Sequence, residues 1–177
     1  MKRRTVAAAR RAFGARLPKI ALRAARPIDY GFARQLSFTA MRELVEQAFG
    51  WNEYSQDAAF ARKFALSEVR IVTLAGKDIG WIQIQADDRR MNLCQFFIAP
   101  ECQSRGIGGG VLKQLLAESA KRGRAVTLSV MKGSRALAFY RRHGFRVSDE
   151  DRYKFYLRFE PKRLLRGIGP SMGMRRG

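Results

Sequence analysis

The chain has 177 residues, 46% of them hydrophobic, with 12 phenylalanines, which suits one packed domain with tails. No apolar run approaches the length that crosses a membrane. Two cysteines, Cys94 and Cys102, argue against a disulfide scaffold, and a single histidine, His143, leaves no zinc-ligand spacing. The expectation is a protein of a reducing, cytoplasmic setting with no metal.

The net charge of +20 lies mostly at the ends: residues 1–28 hold nine Lys/Arg, residues 162–177 hold five, and neither stretch has an acid. The remainder is mildly basic. This divides the chain into a basic arm over 1–19, a domain over 20–161 and a basic tail over 162–177. The arm lacks the continuous apolar region of a secretory or twin-arginine signal. It is similar to an organellar transit peptide in being basic and acid-free. The reading taken is a flexible basic extension.

In chain order, Lys19–Ala25 is a short strand, and Asp29 is placed to cap a helix beginning near Tyr30. The helical pattern runs to Trp51, with a break expected near Phe38. A further helix covers about 55–65. Glu68–Gly76 and Asp78–Ala86 are strands around the turn signal Gly76-Lys77-Asp78. Asp87-Asp88-Arg89-Arg90 then turns the chain into a strand over Met91–Ala99, completing an antiparallel meander. Next comes a loop with four glycines in five positions, 106 to 110, and a helix from about Gly108 to Lys121. A strand over Ala125–Met131, a helix over Ser134–His143 stopped by Gly144, and a strand over Arg152–Phe159 finish the domain. No internal repeat is present.

The glycine loop poses the chemical question. The helix after it carries Val111, Leu112, Leu115, Leu116 and Ser119/Ala120 on one face. Its N-terminus presents unpaired N–H groups and the positive end of the helix dipole. Glycines there let a ligand approach the backbone, which describes an anion site, most naturally for phosphate. The nucleotide-hydrolase loop is absent. The dinucleotide glycine pattern fails too, because Val111 stands where its third glycine belongs. No Mg²⁺-binding carboxylate is recognisable. The phosphate is one that is held and not transferred, as in a cofactor with a pyrophosphate handle.

Gln103-Ser104-Arg105-Gly106-Ile107-Gly108 resembles the acetyl-coenzyme A signature of the GNAT N-acetyltransferase superfamily. "SRALAFYRRHGF", Ser134 to Phe145, is similar to that superfamily's second element. The resemblance covers about residues 20–159. It implies a single α/β (α+β) domain: a mixed, mostly antiparallel sheet with helices on both faces, whose parallel fourth and fifth strands splay apart. Acetyl-CoA would be the cosubstrate, its pantetheine arm pairing with the backbone near Phe96 and Ile98. Gln103, Ser104, Arg105, Gly106, Ile107, Gly108 and Gly109 would hold the pyrophosphate. Tyr140 matches the tyrosine that protonates the leaving thiolate. The reaction is direct attack of an amine on the thioester; the amine, with a pKa near ~10.4, must first lose a proton.

Three positions depart from the pattern. Ser134 replaces an asparagine, with shorter reach. Ser104 replaces a glycine, tolerable if its φ is negative. Cys102 stands where an aromatic is common. On the acceptor side, Phe49-Gly50-Trp51-Asn52-Glu53 looks like a Trp-Gly-Trp-Asp-Glu patch. Trp51 could wall a substrate and Glu53 could bind or deprotonate an amine, or the two could be a packed indole and a surface carboxylate. Glu43 and Glu46 read as a solvated face. His143 reads as a residue of the helix C-cap. The expected acceptor is a small primary amine, and the enzyme a monomer or homodimer. The alternatives are an acetyltransferase of a ribosomal or nucleic-acid-associated protein, or a degenerate fold binding nucleic acid nonspecifically through its tails.

Overall fold

A computed structural model of the protein describes residues 19–161, so the expectations for the basic arm before Lys19 and for the tail from Lys162 lie outside the described residues. The elements are β1 (Ile20–Ala24), α1 (Asp29–Phe49), α2 (Glu53–Lys63), β2 (Val69–Leu74), β3 (Lys77–Ala86), β4 (Arg90–Ile98), α3 (Ile107–Lys121), β5 (Ala125–Met131), α4 (Ala136–Arg142), β6 (Arg146–Glu150) and β7 (Lys154–Phe159). They build one seven-stranded sheet in the order β1-β2-β3-β4-β5-β7-β6. Only the β4–β5 pair is parallel; the other pairs are antiparallel.

Alternation along the strands sends apolar side chains to both faces. On one face Ile82, Ile84, Leu93, Val126, Leu128 and Leu157 meet Val111, Leu112 and Leu115 of α3. Those three helix residues are fully buried, each contributing about 1.5–3 kcal/mol of transfer free energy. On the other face Ile71, Trp81 and Phe97 meet Ala33 and Leu36 of α1. An aromatic relay ties α1 and α2 to that face: Tyr30, Phe60, Phe64 and Trp81 lie with ring centroids 5.1 to 6.0 Å apart.

Four local expectations are corrected. Asp29 does not cap the helix from outside it. It is the first helical residue, and its buried carboxylate accepts two bonds from Arg23, at 2.7 and 2.9 Å, and one from the Arg26 N–H at 2.7 Å. Second, α1 runs unbroken through Phe38 for 21 residues. Third, α2 starts earlier than expected, because the Asn52 side chain accepts the Ser55 N–H and caps it. Last, the strand β6 went unforeseen, and β7 begins only at Lys154. Arg152 and Tyr153 belong to a turn in which Asp151 accepts the N–H groups of Tyr153 and Lys154.

Candidate active site

The site begins where the two parallel strands part. β4 and β5 share three rungs, Arg90↔Ala125, Met91↔Val126 and Asn92↔Thr127, and then diverge. The Thr127 hydroxyl donates to Asn92 Oδ1 at 3.3 Å across the last rung, and Asn92 Nδ2 reaches Cys94 Sγ at 3.2 Å. Cys94 has no partner on β3, since the ladder steps from Gln83↔Gln95 to Ile84↔Leu93. This bulge bends β4 away from β5.

The ladder also fixes which backbone groups face the opening. The Ala99 N–H donates to the Ile79 carbonyl at 2.8 Å. Alternate residues of an antiparallel strand face the same neighbour, so Phe97 and Ala99 turn toward β3. Phe96 and Ile98 therefore turn their N–H and C=O groups toward β5. The Ile98 carbonyl is already taken by Gln103 Nε2 at 2.7 Å, which straps the loop to the end of β4. This gives Gln103 a positioning function.

Past Gln103 the loop winds into α3. Gly106 lies in the left-handed region at φ 76°, and a Cβ there would meet nothing within 4 Å. Ser104 is also left-handed, at φ 59°, so the negative φ under which serine would be tolerable is not what the loop adopts. A serine pays about 1–2 kcal/mol to stand there. Of the other three glycines, Gly109 and Gly110 serve the fold, while Gly108 leaves room for a Cβ in ordinary contact with Phe139. A Cβ on Gly108 would lie 3.6 Å from the Phe139 ring, on Gly109 3.1 Å from His143 Nε2, and on Gly110 2.9 Å from Ile20 Cδ1. Gly109 and Gly110 let α4 and β1 close on the first turn of α3. Arg105 is exposed at the loop's rim, and Ile107 is buried beneath it.

α4 brings Tyr140 to the same region. The residue is buried, packs edge-on to Phe139 and Phe145, and its hydroxyl bonds no described residue. Burial pushes its phenol well above the ordinary range, so it stays protonated. Ser134 Oγ accepts the Ala136 N–H at 3.1 Å, opening α4 as a short cap while keeping its own proton. His143 closes the helix, with Nδ1 2.9 Å from the Phe139 carbonyl and its ring tilted against Phe139, centroids 4.6 Å apart. Phe139 and His143 are thus the packing link between α4 and the loop.

Trp51 and Glu53 lie at the connection from α1 to α2. Trp51 sits edge-on to Phe38 at 5.3 Å and under the Arg42 guanidinium, with its indole N–H buried and unpartnered. Exposed Glu53 stands 3.5 Å from Arg34, which is itself paired with Asp57. Glu53 borders a groove of about 360 Å³ whose lining includes Arg34, Phe38 and Arg42, and Trp51 packs behind two of those residues, Phe38 and Arg42. No hydrogen bond links either to the loop or to Tyr140. The pleat puts Gln95 beside Gln83 and Phe97 on the α1 face, and Ser129 and Tyr156 together as a rung. Sequence reading missed these groups because their common face follows only from the register.

No cluster of metal-ligating side chains occurs among the described residues. No described helix is long and apolar enough to cross a membrane.

The family model described as an acetyltransferase (GNAT) domain matches residues 34–165. The chain belongs to this acetyltransferase family, and the observed sheet with its parted parallel pair is the fold expected of it. Comparison with curated proteins gives no match. Solved structures similar in fold include the PaiA N-acetyltransferase of Thermoplasma acidophilum in complex with coenzyme A, at 18% identity and a TM-score of 0.67, covering 80% of this chain and 99% of that one. The ribosomal-protein-S18-alanine N-acetyltransferase of Escherichia coli is similar at 18% identity and a TM-score of 0.60, covering 87% and 100%. Arabidopsis thaliana Naa50 in complex with the bisubstrate analogue CoA-Ac-MVNAL gives 16%, 0.56, 80% and 98%.

Proposed function

We propose that the protein moves the acetyl group of acetyl-CoA to the primary amine of a small molecule. The carrying observation is the parting of β4 and β5. On this reading the backbone of Phe96 and Ile98, the left-handed loop at Gly106 and Tyr140 surround the gap, which is supported by Phe139, the neighbour of Tyr140, lying 6.3 Å from the Phe96 ring and against Gly108. The N–H groups from Ser104 to Gly109 hold the pyrophosphate at the positive end of α3, with Arg105 at the rim and Ser104 offering a hydroxyl, while the Gln103 N–H, given to the Pro100 carbonyl at 3.1 Å, only shapes the loop. Phe96 and the Ile98 N–H pair with the pantetheine arm, and Ser134 keeps a proton to donate beside it. Acetyl-CoA supplies an activated acyl carbon. As the amine nitrogen bonds to that carbon and the C–S bond breaks, Tyr140 gives its proton to the departing sulfur. The amine's surplus proton goes to solvent or to Glu53, and Trp51 walls the acceptor's approach.

The enzyme works as a monomer or homodimer in the cytoplasm, and the charge of its basic ends suits nonspecific contact with nucleic acid. A second reading, acetylation of a protein N-terminus, is favoured by the likeness to the S18-alanine and Naa50 enzymes. Free-thiol release across amino acids, polyamines, aminoglycosides and peptide N-termini decides between them. Turnover of peptides alone would overturn the small-amine reading. Gly106→Asp places a strained backbone and a negative charge against the phosphates. Calorimetry should show coenzyme A binding lost in a variant whose circular dichroism is unchanged; wild-type affinity would remove the loop from the site.

A further inference from the structure

One flank of the glycine loop carries more positive charge than a held pyrophosphate uses. α4 meets the first turn of α3 through Phe139, whose ring would lie 3.6 Å from a Cβ on Gly108, and through His143 Nε2, 3.1 Å from a Cβ on Gly109. These contacts fix which way the two helices face. Residues three and four apart share a helix face. Arg135, already helical at φ −64° and ψ −14°, is four before Phe139, and Arg142 is three after it. Both therefore stand on the stripe of α4 that meets α3. Lys113, four after Gly109, stands on the stripe of α3 that meets α4. Arg141, two residues from Phe139, projects from the opposite side of α4.

Lys113, Arg135 and Arg142 are exposed and ion-pair with no acid among the described residues. Arg23, Arg34 and Arg70, on other parts of the domain, each hold a carboxylate. Unanswered charges gathered along one seam raise the local potential and favour an anion there. On the other flank of the loop β1 packs Ile20 against Gly110.

We propose that the seam between α3 and α4 is the subsite for the 3′-phosphate of coenzyme A, with Lys113, Arg135 and Arg142 as its ligands, and that it makes the enzyme select the coenzyme over its 3′-dephospho form. This rests on the reading of the loop given above. With the pantetheine arm running from the loop into the gap between β4 and β5, the adenosine leaves the pyrophosphate on the solvent side. The α4 flank meets it there with unpaired guanidiniums. The ribose phosphate is a monoester carrying about −1.5 to −2 charges at pH 7. The planar fork of arginine fits its oxygens two at a time.

The test is calorimetry of the full-length protein at ~0.1 M salt with coenzyme A and with 3′-dephospho-coenzyme A. Wild type should bind coenzyme A at least about tenfold more tightly, the worth of one charge-assisted bond. Arg135→Gln/Arg142→Gln should cut that preference to about threefold or less, with the affinity for the dephospho form changed by less than about twofold. Arg62→Gln/Arg141→Gln removes equal charge from α2 and from the far side of α4, and should keep the preference. Equal affinity of the wild type for the two forms would overturn the subsite. So would an equal loss of preference in the two double variants, which would mean general attraction to a basic protein. Failure of the loop reading has a different signature. Gly106→Asp should weaken both forms alike, and unchanged affinity for both would overturn the loop and with it the route that brings the ribose to α4.

Discussion

Tyr140 is a buried phenol enclosed by Phe139 and Phe145, with no hydrogen-bond partner among the described residues. Tyr140→Phe keeps the ring and removes the proton. Under conditions where chemistry limits the rate, kcat should fall about 10²–10⁴-fold with coenzyme A affinity unchanged. Because burial raises the phenol above its ordinary range, wild-type kcat should show no loss at alkaline pH up to about 10 from ionisation of this group. An alkaline fall in kcat that vanished in Tyr140→Phe would contradict this. Ser104 offers a second residue-scale test. Its left-handed φ of 59° suits glycine better. Ser104→Gly should raise unfolding stability by about 0.5–1 kcal/mol, the relief of strain exceeding the entropy of a freer unfolded chain. If coenzyme A affinity falls in the same variant, the hydroxyl contributes to phosphate binding.

At the scale of elements, periodicity and turn residues foretold the meander, α3, β5 and α4, since each carries its apolar stripe or alternation in the sequence. β6 did not show itself. "RVSDE" is an edge strand with one apolar residue, Val147, and exists through its pairing with β7. The unbroken α1 was hidden too, because Ser37 looks like a breaker until its hydroxyl is seen donating to the Arg34 carbonyl within the helix. Of the site, the loop and Tyr140 were legible as motifs. The strap from Gln103 to Ile98, the bulge at Cys94 and the division of labour among the glycines depend on neighbours distant in sequence. The Arg23–Asp29 pair binds β1 to the start of α1, and Arg23 also reaches Asp78 at 2.7 Å. Hydrogen bonds from Arg23 hold the Asp29 carboxyl far below the usual carboxylate range. A depressed folded pKa means the stabilisation is complete above the unfolded value, near ~3.9, and is lost as pH falls below it. Asp29→Asn should cost about 2–3 kcal/mol at pH 7 and reduce the acid sensitivity of urea unfolding below pH 4. An unchanged midpoint at pH 7 would show that the pair contributes no net stability.

For the whole molecule, every buried hydrophobic residue among the described residues lies between Ala33 and Leu157, while most of the formal charge lies at the ends of the sequence. A chain cut to residues 20–161 should unfold in a single cooperative transition and keep its kcat/KM toward a small amine. Its nonspecific nucleic-acid binding should weaken and become less salt-dependent. Loss of transfer to the true acceptor, with coenzyme A binding intact, would make the basic ends recruiters of a larger substrate.

The three rungs joining β4 to β5 have a consequence for how the protein comes apart. One sheet is in effect two, a four-stranded and a three-stranded piece, hinged at Asn92–Thr127 and otherwise held by α3 and the turns around it. In the function proposed above, the donor's arm seated in the gap would supply the missing rungs, an eighth strand that leaves after each turnover. Between turnovers the three-stranded piece should open locally more often than the rest of the sheet. Amide hydrogen exchange at Leu128–Val130 should therefore be faster than at Ile82–Ile84 in the free protein and slow markedly with coenzyme A, while the melting temperature climbs with ligand concentration as linkage requires. Equal protection of both strands without ligand would mean that helix packing alone makes the two pieces one cooperative unit.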